Sequence, residues 1–247
     1  MVAMSKSTMA RLAFFAVLCA PAGCHGGSGQ QSLAQSEMKP APETPIAEKK
    51  NELGKESWNP AWDRIVEEAL PPDMLSASVA RDVKPFCPRF NGLGEADKRA
   101  FWAYFFQALA GAEAGLEPTK DVHHPTQSPG VKDTVTKRAV RSEGLLQLTF
   151  MDAERYGCNF DWDKDKKLAE KDPARTILQP GNSLTCGVKI LFNQIITQRK
   201  PLLSRSSYWA TLRPGGLSYR VFAQQMANVP TVCRAEPSLG ETEAARR

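Results

Sequence analysis

One carboxyl group in this sequence is a candidate proton donor. Glu113 shares a stripe with Trp102, Phe106 and Leu109, because these residues recur at steps of four, three and four. A carboxyl buried on that stripe, near the negative end of the helix, would have its pKa raised. A carboxyl that stays protonated near neutral pH can donate to a leaving oxygen. The alternative is a glutamate in the last helical turn that faces solvent, which is the usual position of this residue type.

Two short segments resemble motifs of one enzyme family. The segment Ala110-Gly-Ala-Glu113-Ala-Gly-Leu-Glu-Pro118 resembles the Glu-Ser-x-x-x-Pro element of the lysozyme-like lytic transglycosylases. That superfamily includes the soluble lytic transglycosylases and the goose-type lysozymes. Downstream, Gly144-Leu-Leu-Gln147-Leu resembles their Gly-Leu-Met-Gln signature. Two matches in the expected order are more specific than either match alone.

The resemblance extends from about Trp102 to Ala223, through two weaker matches. The stretch Asn182-Ser-Leu-Thr-Cys-Gly187-Val-Lys-Ile-Leu191 looks like the family's Asn-Ile-x-x-Gly-x-x-Tyr-Leu helix, and Ser207-Tyr208-Trp209 falls where the family has Ala-Tyr-Asn. A tyrosine in such a helix is otherwise an ordinary core residue with a satisfied hydroxyl.

The chain also departs from the family pattern. Ala114 replaces the usual serine after the catalytic glutamate, Leu146 replaces methionine in the signature, and Trp209 replaces asparagine. The segment between the first two motifs is longer than in common family members. We therefore expect a different cleft wall.

The resemblance implies a fold and an activity. The fold would be mainly α (α+β, lysozyme-like), a helical bundle around a central buried helix with a small irregular or β-hairpin region lining the cleft. The activity would be cleavage of peptidoglycan between N-acetylmuramic acid and N-acetylglucosamine, with 1,6-anhydro products. Glu113 would be the single catalytic acid and base, Tyr208 would orient it, and Gln147, Leu146 and Glu143 would contact substrate. No cofactor or metal is implied.

Two alternatives to lytic transglycosylation stay open. Goose-type lysozymes position a water with aspartates, one of them two residues after the signature glutamine, where this chain has Thr149. Asp121, Asp133 or Asp152 could still approach, so a hydrolytic muramidase is one alternative. The other is a lipoprotein that binds cell-wall sugars without cutting them.

The N-terminal residues have the layout of a secretory signal. Lys6 and Arg11 precede an apolar run that is too short to span a bilayer, and Ala22-Gly23-Cys24 resembles a lipoprotein box. We expect a signal peptide over 1–24, lipidation of Cys24, a flexible linker over 25–57, a catalytic domain over 58–233 and a polar tail over 234–247. Ordinary cleavage after Ala22 is the alternative to lipidation.

Composition agrees with a soluble globular protein. The chain has 247 residues, of which 42% are hydrophobic and 24% charged, and its formal charge is +5. This composition is not that of a disordered or membrane-spanning chain. We expect a monomer in the periplasm, anchored to the outer membrane or else secreted, whose partner is peptidoglycan and not nucleic acid.

Four cysteines remain outside the signal segment. They are Cys87, Cys158, Cys186 and Cys233, with no close CxxC pair. In an exported protein, two disulfides are a better interpretation than a metal site. Three pairings are possible. Sequence order favours Cys158 with Cys186, and Cys87 with Cys233, which would clamp the ends of the domain.

Helical periodicity predicts the main elements. One helix is expected over Glu95 to Ala114, and a second over Phe150 to Tyr156 with Thr149 as its cap. A third follows Pro180, is capped by Asn182 or Ser183, and buries Leu184, Val188, Leu191 and Ile195. Further helices are expected near Tyr208 and over Ser218 to Met226. The polar stretch from Thr119 to Ser142 is expected to wall a cleft.

Other polar residues have ordinary interpretations. Glu143 could pair with Arg141 or a sugar amine, but a solvated loop glutamate is more common, and Glu117 is expected to be exposed. His123 and His124 are interpreted as loop or sugar contacts.

An alternating acidic segment also has an ordinary interpretation. Asp161, Asp163 and Asp165 alternate as in a calcium loop, without the required glycine and closing glutamate, so we expect a solvated charged loop. Trp162 within it is either a sugar-stacking face or a core residue.

Overall fold

The computed structural model describes residues 57–122 and 131–234. All of them belong to one compact unit. The expected signal peptide, Cys24, nearly all of the expected linker and tail, and the pair His123 and His124 lie outside the described residues.

The described part of the chain is mainly helical, as the sequence predicts. The α-helices are α1 (Ala61–Ala69), α2 (Ala77–Val83), α3 (Glu95–Ala114), α4 (Met151–Tyr156), α5 (Trp162–Asp165), α6 (Pro180–Phe192) and α7 (Leu217–Met226). Short 3-10 turns occupy Pro72–Leu75, Phe90–Gly92, Thr176–Leu178, Ala210–Leu212 and Thr231–Cys233. A π-helical turn over Asn193–Thr197 continues α6. Within the described residues, none of these helices is long and apolar enough to cross a membrane.

The central element of the domain is α3. Its side chains are buried on every face from Phe101 to Gly111, and it packs against α1 and α7. This is the expected behaviour of a helix that is apolar nearly all round. The helix ends at Gly115, which adopts a left-handed conformation with φ of 62° and donates its N–H to the carbonyl of Gly111, while the N–H of Leu116 donates to the carbonyl of Ala110. The predicted bounds of this helix are confirmed.

Three of the other predicted helices need correction. The helix α6 begins at Pro180 itself, because proline is favoured at the first helical position, so Asn182 and Ser183 lie in its first turn and do not cap it. The cap of α4 is Phe150 and not Thr149. Around Tyr208 the chain forms only the short 3-10 turn Ala210–Leu212, where Pro214 and Gly215 follow closely. The buried stripe predicted for α6 is confirmed.

A two-stranded antiparallel pairing forms the β region. The strands β1 (Asp121–Val122) and β2 (Ser142–Glu143) pair Asp121 with Glu143 and Val122 with Ser142. Between the strands, Asp133 accepts hydrogen bonds from the backbone N–H groups of Val135, Thr136 and Met151. The Asp133 carboxylate therefore joins the turn that contains Val135 and Thr136 to the first residue of α4.

Both predicted disulfides are present. Cys158 bonds Cys186 and joins the residue after α4 to α6, while Cys87 bonds Cys233 and joins the segment after α2 to the last 3-10 turn. These bonds fit an oxidising, exported environment.

Candidate functional site

Glu113 lies in the last turn of α3, and its carboxyl group is largely buried. The atom Oε1 has no hydrogen-bond partner within the described part of the chain. Burial raises the pKa of Glu113 above its ordinary value, because a desolvated carboxylate is disfavoured. The side chain and backbone of Thr211 and the charge of Arg213 lower the pKa in part. The expectation of a buried acid with a raised pKa therefore agrees with the structure.

Thr211 is the neighbour of Glu113 that sequence reasoning missed. It lies in the 3-10 turn Ala210–Leu212 and is 1% exposed. Its only sequence signal is its position three residues after Tyr208, within the part of the chain that resembles the family.

The signature segment forms a closed loop. Glu143 and Leu148 exchange two backbone hydrogen bonds of 2.8 and 3.0 Å, so the four residues between them form a tight turn. Gly144 begins the turn with φ of 76°, and a Cβ there would lie 2.9 Å from the carbonyl oxygen of Ile177. Gln147 ends it with φ of 51°, which is unusual for a residue other than glycine. Such a conformation indicates local constraint.

Gln147 is 4% exposed, and only one of its two side-chain polar atoms has a hydrogen-bond partner within the described residues. Its Nε2 donates to the carbonyl oxygens of Gly144 at 3.0 Å and Lys120 at 3.3 Å. Its Oε1 is buried and has no partner among the described residues. The amide is thus held by its nitrogen, and its oxygen remains an available acceptor.

A close approach at Gly187 joins this loop to the central helices. A Cβ added at Gly187 would lie 2.4 Å from Cδ1 of Leu146 and 2.8 Å from Cε1 of Phe106. Phe106 is on α3 and Gly187 is on α6. Leu146 is therefore a fully buried residue that positions the signature loop, and the expectation that it contacts substrate is wrong.

Tyr208 contacts a different acid from the one expected. Its hydroxyl donates to Oδ2 of Asp152 at 2.6 Å, and Thr149 donates to the same oxygen from its N–H at 2.8 Å and its hydroxyl at 3.0 Å. Burial raises the pKa of Asp152, and these hydrogen bonds lower it in part. The Tyr208 hydroxyl therefore donates to Asp152 and not to Glu113, which it was expected to orient. The other carboxyl oxygen of Asp152, Oδ1, is buried without a partner in the described residues.

Glu143 is neither solvated nor available to substrate, and both expectations for it are wrong. Its side chain is 5% exposed and forms a bidentate ion pair with the guanidinium of Arg175, which is also 5% exposed. A buried carboxylate needs such a partner, since desolvation of a lone charge is costly. The pair fixes the residue that precedes Gly144.

The aspartate segment is also less solvated than expected. Asp165 is 1% exposed and accepts hydrogen bonds from the N–H and hydroxyl of Thr176 and from the N–H of Ile177. Trp162 packs edge-on against Phe150 at 5.1 Å, and the guanidinium of Arg138 lies 4.9 Å from its ring centre. Trp162 and Arg138 line a small cavity, together with the Glu143–Arg175 pair. Glu113, Gln147 and Tyr208 do not line that cavity.

Five buried side-chain atoms have no hydrogen-bond partner within the described residues: Gln107 Oε1, Glu113 Oε1, Gln147 Oε1, Asp152 Oδ1 and Ser183 Oγ. Buried polar atoms are normally satisfied, so such atoms point to a ligand or water that completes them. Residues 57–122 and 131–234 contain no cluster of three or more histidine, cysteine or acidic side chains that could hold a metal ion. The chemistry that this arrangement supports is proton transfer by a carboxyl group.

Comparison with known proteins shows similarity of fold. No family model and no curated protein matches the chain. Solved structures of Bd0314 DslA match it, in wild-type form 2 with a TM-score of 0.53 and in two glutamate-to-glutamine mutants with TM-scores of 0.53 and 0.54. Each is 24% identical, and the match covers 70% of this chain and 91% of that one. At this identity the likeness shows a shared fold.

Proposed function

We propose that the protein is a lytic transglycosylase that cuts peptidoglycan strands between N-acetylmuramic acid and N-acetylglucosamine. Glu113 is its single catalytic acid and base. The observation that carries the proposal is the state of the Glu113 carboxyl: it is buried, its pKa is raised, and its Oε1 is unpaired. The motif resemblance around Glu113 and Gly144-Leu-Leu-Gln147 supplies the substrate class.

In the first step, protonated Glu113 gives its proton to the glycosidic oxygen. The bond from that oxygen to C1 of the muramic acid breaks, and positive charge develops at C1. In the second step, the Glu113 carboxylate takes the proton of the C6 hydroxyl of the same sugar, and O6 attacks C1. The product is a 1,6-anhydro sugar, and no water is consumed.

Gln147 binds substrate through its amide oxygen. Because Nε2 is already held by the carbonyls of Gly144 and Lys120, the free Oε1 accepts a hydroxyl or amide N–H of the glycan. A site that fixes such a group helps to hold the scissile bond against the acid.

Hydrolysis by a goose-type-like muramidase is the second candidate, and the unpaired Oδ1 of Asp152 is the observation that favours it. Asp152 is nevertheless 0% exposed, and its other oxygen accepts from Tyr208 and Thr149. The Oδ2 atom of that carboxylate is therefore already engaged by three donors. Asp133 is used by backbone N–H groups. Transglycosylation therefore takes precedence.

The place of action follows from the same proposal. A periplasmic enzyme held at the outer membrane by lipidated Cys24, through the linker over 25–57, would reach the wall without leaving the membrane. The two disulfides are compatible with that compartment. Peptidoglycan is its partner, and we expect it to act as a monomer without a cofactor.

Digestion of purified sacculi tests the function. Wild type and Glu113→Gln are compared, and the released ends are identified by mass spectrometry. We expect 1,6-anhydro ends from wild type and a loss of about 10²-fold or more in Glu113→Gln, the usual contribution of a general acid. Glu117→Gln is the matched control, since Glu117 is half-exposed and lies 3.7 Å from the Lys120 ammonium.

The outcomes separate the candidates. Equal release by wild type and Glu113→Gln contradicts catalysis by Glu113. Reducing ends in place of anhydro ends support the muramidase. Binding to sacculi without release supports a wall-binding lipoprotein.

A further inference from the structure

A cavity of about 410 Å³ lies beside the ends of α1, α4 and α6. Its polar and aromatic lining residues are Arg155, Tyr156, Lys189, Phe192, Asn193 and Thr197. The volume is within the range of about 300–1,000 Å³ that is typical of small-molecule sites, and it can hold a sugar ring.

The cavity adjoins the Tyr208–Asp152 pair. The rings of Tyr156 and Tyr208 meet edge to face with centroids 6.2 Å apart. Arg155 and Asp152 are one turn apart on α4. The positive charge of Arg155 also lowers the pKa of both Asp152 and Tyr208. The cavity thus lies next to a pair that contains one of the unpaired buried oxygens.

The charges that line the cavity are all positive. Of its two cations, Lys189 is already bonded to the carbonyl oxygen of Gly157. Arg155 is exposed, touches Met151 Sδ at 3.8 Å, and forms no ion pair within residues 57–122 and 131–234. No acidic side chain lines the cavity. An exposed guanidinium without a carboxylate partner is suited to bidentate binding of a carboxylate ligand.

The remaining lining residues suit a sugar. Tyr156 and Phe192 are half-buried, so part of each ring is free to pack against the C–H face of a pyranose. Asn193 and Thr197 supply hydrogen-bonding side chains from the π-helical turn. Such turns inside helices occur frequently at functional sites.

We infer that this cavity is a subsite for a carboxylate-bearing unit of the glycan strand, with Arg155 as the group that binds the carboxylate. Muramic acid is the sugar of peptidoglycan that carries a carboxylate, either as its lactyl group or in an attached peptide, whereas N-acetylglucosamine is neutral. The subsite therefore sets which sugar occupies this position along the strand. The inference rests on the proposed function, because that function supplies the glycan.

Binding without turnover tests the subsite. The full chain with Glu113→Gln is titrated, by calorimetry, with a tetrasaccharide of alternating N-acetylglucosamine and N-acetylmuramic acid. The second probe is chitotetraose, which has the same length and no carboxylate. Arg155→Gln in this background should weaken tetrasaccharide binding about tenfold and leave chitotetraose binding unchanged, as expected for loss of one charged hydrogen-bonding group.

Three further variants make the result specific. Arg220→Gln removes one exposed positive charge from α7, away from the cavity lining, and should change neither affinity. Arg155→Lys keeps the charge but loses the paired N–H donors of the guanidinium, and should give an intermediate affinity for the tetrasaccharide. Phe192→Ala should weaken the binding of both probes, because it removes an aromatic ring against which a sugar packs.

The inference is overturned if Arg155→Gln binds the tetrasaccharide as tightly as its parent, or if the parent binds neither probe. Failure of the proposed function has a different signature, namely that wild type releases no ends from sacculi. Because binding is measured in a variant that does not cut, the binding result does not depend on the result of the sacculus digestion.

Discussion

The indole Nε1 of Trp209 donates a 2.7 Å hydrogen bond to the carbonyl oxygen of Leu146. Both residues are buried. The bond ties the segment that carries Thr211, the neighbour of Glu113, to the loop that carries Gln147. Trp209 stands where the family that the chain resembles has asparagine, so an indole here fastens the segment that contacts Glu113 to the signature loop.

Gly187→Ala should destabilise the domain by about 1–3 kcal/mol, the usual cost of overpacking a core. The new methyl group would meet Leu146 Cδ1 and Phe106 Cε1 at 2.4 and 2.8 Å. The control is Gly181→Ala on the same helix, where nothing lies within 4 Å of an added Cβ. That change should be neutral or stabilising. Urea unfolding measures both, and equal stabilities would refute the close approach.

Glu143→Gln should cost about 3–5 kcal/mol, because it leaves the buried Arg175 guanidinium without its carboxylate. The double variant Glu143→Leu with Arg175→Met should recover most of that loss, since no unpaired charge remains. Equilibrium unfolding in urea gives both values. The exposed ion pair of Asp163 with Lys166 provides the control, and Asp163→Asn should change stability little. A loss as small as that of the control would contradict a buried pair.

Glu113→Gln should become progressively more stable than wild type as the pH rises. Below its ordinary pKa of 4.5, Glu113 is protonated in both folded and unfolded chains, and burial carries no charge penalty. As the pH rises from 4.5 to the raised pKa of the folded state, Glu113 ionises in the unfolded chain but stays protonated in the folded one, so wild type loses stability. Unfolding free energies at a series of pH values, for both proteins, measure this. Parallel curves would mean that the carboxyl is solvated.

Tyr208→Phe should destabilise the protein by about 1–3 kcal/mol at neutral pH, because Asp152 Oδ2 loses a hydrogen bond inside the core. The pKa of Asp152, already raised by burial, should rise further. The loss should therefore shrink as the pH falls through that raised pKa, because Asp152 becomes neutral in the folded state and the hydroxyl no longer stabilises a buried charge. Tyr219→Phe on α7 is the control, and an equal, pH-independent loss in both variants would contradict the proposed pair.

Local periodicity explains what the sequence predicts well. The helix α3 has its predicted bounds, because the apolar residues before Glu113 and the glycine after Ala114 are signals within a few residues of each other. The helix α1 has a similar signal, since Trp62, Ile65, Val66 and Ala69 recur at helical spacing, and Val66 is fully buried.

Contacts between distant segments explain what the sequence does not predict. Glu143 is buried because of Arg175, which is 32 residues away, and Tyr208 faces Asp152 across 56 residues. The hydropathy of a lone glutamate favours solvent, and only its partner reverses that preference. The sequence around Glu143 or Tyr208 contains no signal that identifies the distant partner of either residue. The burial of Leu146 against Gly187 has the same cause, since it depends on how α6 meets the loop.

The Cys87–Cys233 bond closes the chain between two cysteines, 146 positions apart in the sequence, into a covalent ring. Glu113, the signature loop and the proposed sugar subsite on α4 and α6 all belong to this ring. A protease that cleaves one peptide bond anywhere inside it leaves two pieces that are still joined, and they separate only after reduction. The chain can therefore be nicked within the ring without being divided.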